Sequence, residues 1–432
     1  MINKNKFKIA LALTLILPLL AHATNWWEDN LDPENWTATW ATANKTITGF
    51  DGPLDTINNA TLRQIVRISE AGRLVRVSFT NEFGTTPLNI SEAHVALRDS
   101  GSAILDSSGN QLTFSGSNSV SILPGARVVS DAVKMNVPDN SEVVISAYLP
   151  DDVTGSGSPV TYHVRALQTN YIATGNQAAN ADLENATTST AWHFLASVDV
   201  ANFWPMPVIA TLGDSITDGD QNGAPNEPID TNARYPDLLH KAILAGGKAA
   251  SVINLGISGN QVLTSFLGEN PAARLNRDVL TQSGVTHLIY LEGINDIGLP
   301  VLLSVLGIPT PLNSAEAIIA GHQQVISRAK AAGLSVIGGT LTPSGGSALP
   351  GYNDATAEGK RQTINTWIRE SGAYDAVIDF DAALADPDNP SAMRADLTAD
   401  GLHPNAAGYQ VMADTAFAAI GGVLPPKQYE GN

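Results

Sequence analysis

The chain has 432 residues, a formal net charge of −18 and no cysteine, and 43% of its residues are hydrophobic. This length favours two domains, and the composition is that of a folded protein with large cores. The acidic charge disfavours binding to nucleic acid or to anionic membranes. Without cysteine or a histidine-rich cluster, the chain is expected to use neither cysteine chemistry nor a metal or other cofactor. Its oligomeric state stays open.

Residues 1–23 have the pattern of a secretory signal peptide. Lysines at positions 4, 6 and 8 precede an apolar segment at 9–20 and a small-x-small cleavage site at 21–23. Cleavage there changes the formal net charge from −18 to −21, because three lysines and no acid are removed. We expect a secreted or periplasmic protein, with a retained N-terminal anchor as the minor alternative.

Residues 24–204 are predicted to form a β-rich domain. Segments 60–69 and 73–79 alternate apolar and polar residues on either side of Ala71-Gly72, which is typical of a hairpin turn. Similar short runs follow at 93–97, 128–133, 143–149 and 160–164, separated by Gly, Ser, Asn and Pro. This pattern favours an all-β sandwich or jelly roll, with 175–190 as a loop.

Six of the seven tryptophans lie in this first part of the chain: Trp26, Trp27, Trp36, Trp40, Trp192 and Trp204. They are interpreted as residues of the core or of a domain interface, because tryptophan is well buried on average. A sugar-stacking surface is the alternative.

From residue 205 to 424 the pattern alternates strands and helices. Strands are predicted at 207–212, 249–255, 286–292, 334–341 and 375–380, and helices at 233–245, 271–282, 314–332, 354–370 and 405–420. Such βαβ alternation predicts a parallel sheet covered by helices on both faces. Residues 425–432 are predicted to be a flexible tail.

Four stretches of this second domain carry chemically useful residues at predicted loops. Ser215 follows the first strand, Gly259 the second and Asn295 the third, while Asp400 and His403 precede the last helix. Because ligands bind at the carboxyl edge of a parallel sheet, these loops are expected to meet there.

The residue types in these loops suit nucleophilic catalysis. A serine hydroxyl needs a base such as His403, and Asp400 can hold the imidazole in the correct tautomer. The backbone N–H groups of Ser215 and Gly259 and the side-chain amide of Asn295 are candidates for an oxyanion hole. The other histidines are interpreted as structural or surface residues.

These stretches resemble the four sequence blocks of the SGNH (GDSL) hydrolase superfamily. Gly-Asp-Ser-Ile-Thr-Asp-Gly at 213–219 is similar to the first block, and the others lie at 254–259, 293–296 and 400–404. The resemblance implies a flavodoxin-like α/β/α three-layer sandwich with strand order 2-1-3-4-5. It also implies Ser215 as nucleophile, Gly259 and Asn295 in the oxyanion hole, and Asp400 and His403 in the triad. The β-rich part is similar to regions that precede this domain in secreted bacterial esterases.

The sequence therefore predicts an exported serine esterase that acts on short-chain carboxylic esters. A carbohydrate O-acetylesterase and a general short-chain arylesterase are alternatives of equal weight, and acyl transfer would use the same residues. A carbohydrate-binding protein with a relic hydrolase domain is the alternative of a different class. The apolar run at 297–309 is either a flap over the substrate or a buried helix.

Overall fold

The computed structural model describes residues 35–105, 108–201, 204–221 and 229–427. The predicted signal peptide at 1–23 lies outside these residues, as do Trp26, Trp27 and residues 428–432. No described helix combines the length and the apolar composition that crossing a membrane requires.

The first domain is built from antiparallel strands. In chain order, its described strands are β1 (Trp36–Ala41), β2 (Asn58–Arg67), β3 (Gly72–Thr80), β4 (Leu88–Ile90), β5 (Glu92–Leu97), β6 (Asn110–Leu112), β7 (Val120–Ile122), β8 (Arg127–Val129), β9 (Val133–Val137), β10 (Glu142–Asp152), β11 (Tyr162–His163), β12 (Asn170–Thr174), β13 (Thr187–Ser189), β14 (Trp192–His193) and β15 (Leu195–Ala201). One large sheet has the order β1-β15-β3-β8, with β9 also paired to β3, and the second has the order β13-β12-β2-β10-β5-β6. The strands β4-β7 and β11-β14 form two further two-stranded sheets. Side chains such as Phe79 and Val198 from one sheet and Leu62 and Ile145 from the other share one core. The prediction of a β-rich first domain is therefore confirmed, and its two large sheets form a sandwich.

The predicted hairpin at Ala71-Gly72 is wrong. β2 pairs with β10 and β12, whereas β3 pairs with β15, β8 and β9, so the two strands lie in different sheets. Between them the chain crosses from one sheet to the other, and Ser69 donates its backbone N–H to the carbonyl of Thr39 in β1. The turn residues thus join two sheets instead of two neighbouring strands.

The described tryptophans of this domain occupy different environments. Trp40 and Trp192 are buried, and their rings meet edge to face with centroids 4.9 Å apart. Trp36 is partly buried beneath the Arg76 guanidinium, which lies 4.2 Å from its ring centroid. Trp204 is 62% exposed. The core interpretation therefore holds for Trp40 and Trp192 and not for Trp204.

The second domain contains one parallel sheet. Its described strands are β16 (Val208–Gly213), β17 (Ser251–Gly256), β18 (Val285–Leu291), β19 (Ser335–Gly339) and β20 (Ala376–Ile378). Its described helices are α1 (Ser215–Asp218), α2 (Tyr235–Ala245), α3 (Pro271–Leu275, continued by a π-helical turn at Asn276–Leu280), α4 (Ile294–Val305), α5 (Ala315–Ala331), α6 (Ala355–Glu370), α7 (Phe380–Leu384) and α8 (Ala406–Ile420). The sheet order β17-β16-β18-β19-β20 is the predicted order 2-1-3-4-5. Helices α2, α7 and α8 pack together on one face and α3, α4, α5 and α6 on the other, which confirms the three-layer fold.

The two domains are joined by hydrogen bonds to the backbone of Ala38. Ala38 of β1 donates its N–H to the carbonyl of Ser283 at 2.8 Å, and Ser251 of β17 donates its hydroxyl to the carbonyl of Ala38 at 2.5 Å. The Ala38 side chain is part of the α/β core. The sandwich is therefore packed against the beginning of the parallel sheet.

Ordered backbone extends beyond the predicted start of a flexible tail at residue 425. The carbonyl of Pro425 accepts the N–H of Ala249, and Lys427 donates its N–H to the carbonyl of Gly247. The chain up to Lys427 is thus held against the loop before β17.

The apolar run at 297–309 contains most of helix α4. Residues from Ile294 to Pro300 are buried, and Gly298 packs so closely on Tyr352 that a Cβ would lie 2.4 Å from its ring. Exposed apolar residues follow only at the end of the helix, where Val305 and Leu306 face solvent. This arrangement favours the buried-helix interpretation over the flap.

Candidate active site

Ser215 is presented by a sharp turn at the end of β16. The strand is buried along its whole length and ends at Gly213, where a Cβ would lie 2.7 Å from the carbonyl oxygen of Leu291. Asp214 then caps helix α1 by accepting the N–H of Ile216 at 2.9 Å. Ser215 is the first residue of α1, so its own N–H has no acceptor within the helix.

His403 reaches Ser215 from the loop before α8. Its Nε2 lies 3.0 Å from Ser215 Oγ, although the two residues are 188 positions apart in the chain. Its Nδ1 lies 2.8 Å from Asp400 Oδ2. Because a carboxylate only accepts, Nδ1 carries the proton and Nε2 is left to accept the proton of the serine hydroxyl.

Asp400 is fixed by its own loop. Its Oδ1 accepts the backbone N–H groups of Leu402 at 2.9 Å and His403 at 2.7 Å, while Oδ2 faces the imidazole. Burial disfavours its charge, but these hydrogen bonds and the neighbouring imidazole outweigh burial and lower the pKa of Asp400 to about 2. The structure thus brings together the predicted serine, histidine and aspartate with an ionised carboxylate.

Burial and charge act in opposite directions on His403. Burial is the largest influence and lowers its pKa, but the hydrogen bond to Asp400 and the charges of nearby aspartates outweigh it. The pKa of His403 is therefore raised above the ordinary imidazole value.

The predicted oxyanion donors lie on loops that are tied to each other. The Asn295 amide Nδ2 donates to the carbonyl of Asn260 at 3.1 Å, and its Oδ1 accepts the hydroxyl of Tyr352 at 2.8 Å. Gly259 has a φ of +77°, and a Cβ there would lie 2.3 Å from Leu267. Glycine is required at this turn. The hydrogen bond from Asn295 to Asn260 directs the Asn295 amide toward the same turn.

Arg274 is a site residue that sequence reasoning missed. Its guanidinium is fully buried and donates to the carbonyls of Gly213 at 3.1 Å and Leu255 at 2.7 Å, and to Asn260 Oδ1 at 2.9 Å. One side chain therefore fastens the ends of β16 and β17 to the turn that contains Gly259. An arginine in a helix carries no sequence signal for this role.

Three carboxyl groups are buried beneath these loops. Glu292 is 0% exposed, and neither of its side-chain oxygens has a hydrogen-bond partner among the described residues. Its nearest cation is Arg274 at 3.8 Å, and burial raises its pKa well above the usual value. Burial also raises the pKa values of Asp214 and Asp296 to about 7. The three groups are not expected to ionise together at neutral pH.

Asp296 links the second and third loops. Its carboxylate oxygens accept the backbone N–H groups of Val262 at 2.7 Å and Leu263 at 2.9 Å.

Within the described residues, no cluster of three or more His, Asp or Glu side chains has a metal-binding arrangement. The described residues of the site supply a serine, a base, an ionised carboxylate and fixed donors.

Comparison with known proteins identifies the second domain. A family model described as the GDSL-like lipase/acylhydrolase family matches residues 211–411. Similar solved structures include a lipase/acylhydrolase from Enterococcus faecalis, which is 24% identical with a TM-score of 0.40 over 52% of this chain and 100% of that one. A GDSL-like lipase from Bacteroides thetaiotaomicron is 18% identical with a TM-score of 0.36, over 49% and 86% of the two chains.

An acetyl xylan esterase is 20% identical with a TM-score of 0.36, over 49% of this chain and 98% of that one. No match to the chain is found among curated proteins. The family match covers all of the loops described above, from the end of β16 to the loop before α8. The second domain therefore carries a GDSL-like lipase/acylhydrolase domain at residues 211–411.

Proposed function

We propose that the protein is an exported serine esterase that hydrolyses short-chain carboxylic esters, acetyl esters above all. The observation that carries the proposal is the continuous hydrogen-bonded series from Ser215 Oγ through His403 to Asp400, with distances of 3.0 and 2.8 Å. These are the contacts that a serine nucleophile and its base need.

In the first half of the reaction, Ser215 Oγ attacks the ester carbonyl carbon and its proton passes to His403 Nε2. The oxyanion that forms is stabilised by the N–H groups of Ser215 and Gly259 and the amide of Asn295. When the carbon–oxygen bond to the alcohol breaks, His403 gives its proton to the departing oxygen. An acyl-serine remains.

In the second half, water attacks the acyl-serine and its proton passes to His403. Collapse of the second tetrahedral intermediate releases the carboxylic acid and returns the proton to Ser215. Asp400 stays ionised throughout and stabilises the imidazolium that forms in each half.

The packing around the site supports a small acyl group. Ser215 is 6% exposed and His403 7% exposed, so the reacting atoms are closely surrounded. The apolar side chains that follow Asn295 in α4 are mostly buried, and strongly exposed ones begin only at Val305, about 15 Å further along the helix. The signal-peptide pattern at 1–23 supports a substrate outside the cytoplasm, and the acidic charge disfavours a polyanionic one. A neutral acetylated carbohydrate fits both.

A panel of esters tests this proposal. We expect acetyl and butyryl esters of p-nitrophenol to be hydrolysed much faster than esters beyond about eight carbons, since each extra methylene gains about 0.8 kcal/mol only where it is buried. We also expect acetate release from acetylated xylan or its oligosaccharides. Rates that rise steadily to the palmitoyl ester would contradict the short-acyl claim, and cleavage of aryl acetates without acetate release from any glycan would favour an arylesterase.

The pH dependence of kcat/KM tests the base. We expect activity to fall as pH is lowered through the pKa of His403, because only the neutral imidazole accepts the serine proton. Since the neighbouring carboxylate raises this pKa, the acid limb should lie above the ordinary imidazole value of about 6.5. The measurement is a profile with an uncharged acetyl ester, corrected for spontaneous hydrolysis.

Asp400→Asn is the matched variant for this profile. It removes the charge of Asp400, one of the aspartates that raise the pKa of His403, so its acid limb should move to lower pH while kcat falls. An unchanged limb in this variant would show that another group controls the profile.

A further inference from the structure

A histidine of the β-sandwich lies directly beneath helix α1. His163, in β11, is buried, and its Nδ1 lies 2.9 Å from the carbonyl oxygen of Ala43. Its Nε2 lies 3.0 Å from Asp218 Oδ1 and 3.2 Å from the carbonyl oxygen of Arg165. The partners of both ring nitrogens are acceptors, and Nε2 pairs with a carboxylate of the other domain.

The other oxygen of Asp218 holds the turn next to Gly259. Asp218 Oδ2 accepts the backbone N–H of Ser258 at 3.0 Å and its hydroxyl at 2.9 Å. These partners of Asp218 are 40 and 55 positions away in the chain. The two sides of one carboxylate thus join the β-sandwich to the loop of the proposed oxyanion hole.

The contact between α1 and this loop leaves little room for adjustment. Asn254 Nδ2 donates to the carbonyl of Thr217 at 2.7 Å. A Cβ at Gly256 would lie 2.3 Å from the backbone nitrogen of Asp218. The position of Asp218 therefore sets the position of the Ser258–Gly259 turn.

We propose that His163 is a positioning residue for the oxyanion hole. By binding and orienting Asp218, it fixes the Ser258 contacts and hence the direction of the Gly259 N–H. The inference rests on the proposed serine-esterase function and extends it, because the β-sandwich then supplies part of the machinery that stabilises the transition state.

Loss of the His163 contact would leave one oxygen of the buried Asp218 carboxylate without its hydrogen-bond donor. Such a group is strongly unfavourable, and it regains stability by taking up a proton, admitting water or rotating. Each of these changes weakens its hold on Ser258. A displacement of about 1 Å in a catalytic group can lower the rate by up to about a hundredfold.

Two isosteric variants separate the contacts of His163. In His163→Gln, the amide nitrogen stands near the position of Nε2 and still donates to Asp218. In His163→Asn, the amide nitrogen stands near the position of Nδ1, so it reaches Ala43 but not Asp218. We expect His163→Asn to lower kcat by about ten- to a hundredfold with KM nearly unchanged, and His163→Gln to retain most of the wild-type kcat.

His240→Asn is the matched control. His240 Nε2 lies 3.3 Å from Glu70 Oε1, and this is also a buried histidine–carboxylate contact between the two domains. We expect this variant to lower the melting temperature without changing kcat. If His163→Asn behaves in the same way, or if it raises KM at constant kcat, His163 has a structural role only and the proposal is overturned.

Should His163→Asn not fold, Ser258→Ala tests the same connection from its other end. This half-buried residue loses one of two hydrogen bonds to Asp218, and we expect kcat to fall about three- to tenfold. An unchanged kcat would overturn the proposal. Failure of the proposed function is distinguishable from either result, because it would appear as full turnover in Ser215→Ala with wild-type His163.

Discussion

Replacement of Ser215 by alanine is expected to lower kcat for acetyl esters by about four to six orders of magnitude. The variant removes the atom that forms the acyl-enzyme, whereas the oxyanion donors and the substrate contacts remain. Folding should be little affected, because the Ser215 hydroxyl is bonded to His403 and does not cap helix α1. Asp214 provides that cap and is unchanged in the variant. Steady-state kinetics measure the loss of kcat. Circular dichroism and a thermal melt of each protein check that it is folded.

A matched serine provides the control for this result. Ser304 is exposed near the end of α4 and donates its hydroxyl to the carbonyl of Pro300 at 2.9 Å. Ser304→Ala should retain wild-type kcat. A fluorophosphonate probe should label the wild type and Ser304→Ala, but not Ser215→Ala. Near-normal turnover by folded Ser215→Ala would contradict the proposed mechanism.

His403→Ala is expected to reduce kcat about as much as Ser215→Ala, and the double variant little further. The reason is that the serine is inactive without its base, so the two groups act as one unit. This non-additivity distinguishes a nucleophile and its base from two residues that merely bind substrate.

The parallel sheet was predictable because its strands are buried on both faces. The predicted strand at 207–212 lies within one residue of β16 (Val208–Gly213), and the helix predicted at 314–332 is α5 (Ala315–Ala331). Continuous apolar runs and helix caps such as Ser314 are local signals, and they are not altered by distant contacts.

The pairing of the first domain was not predictable in the same way. Arg63 in β2 looks like a solvent-facing residue of an alternating strand, but it is fully buried and donates to the carbonyls of Ser102 and Asn180. Loops that are distant in sequence cover this face of the sheet. Alternation therefore identified β2 as a strand but not its partners.

The candidate site shows the same division between local and distant signals. Ser215, Asn295 and His403 each lie in a short motif that ends a strand or precedes a helix, so their positions followed from the order of elements. Arg274 and His163 lie in no motif and act through carbonyl and carboxylate oxygens of other elements. Only the folded arrangement assigns a role to such residues.

Replacement of Asn295 by alanine is expected to lower kcat by about a hundred- to a thousandfold with little change in KM. The side-chain amide is proposed to donate to an oxygen that becomes negatively charged only in the transition state. An interaction of this kind contributes to the rate and not to substrate binding. Steady-state kinetics with p-nitrophenyl acetate separates the two constants.

The orientation of this amide can be tested separately from its presence. Tyr352 donates its hydroxyl to Asn295 Oδ1 at 2.8 Å, which turns Nδ2 toward the Gly259–Asn260 turn. Tyr352→Phe leaves the amide in place but removes the contact that orients it, so we expect a smaller fall in kcat, about tenfold. If Asn295→Ala raises KM and leaves kcat unchanged, Asn295 binds the ground-state substrate. The oxyanion would then be stabilised by the backbone N–H groups of Ser215 and Gly259 alone.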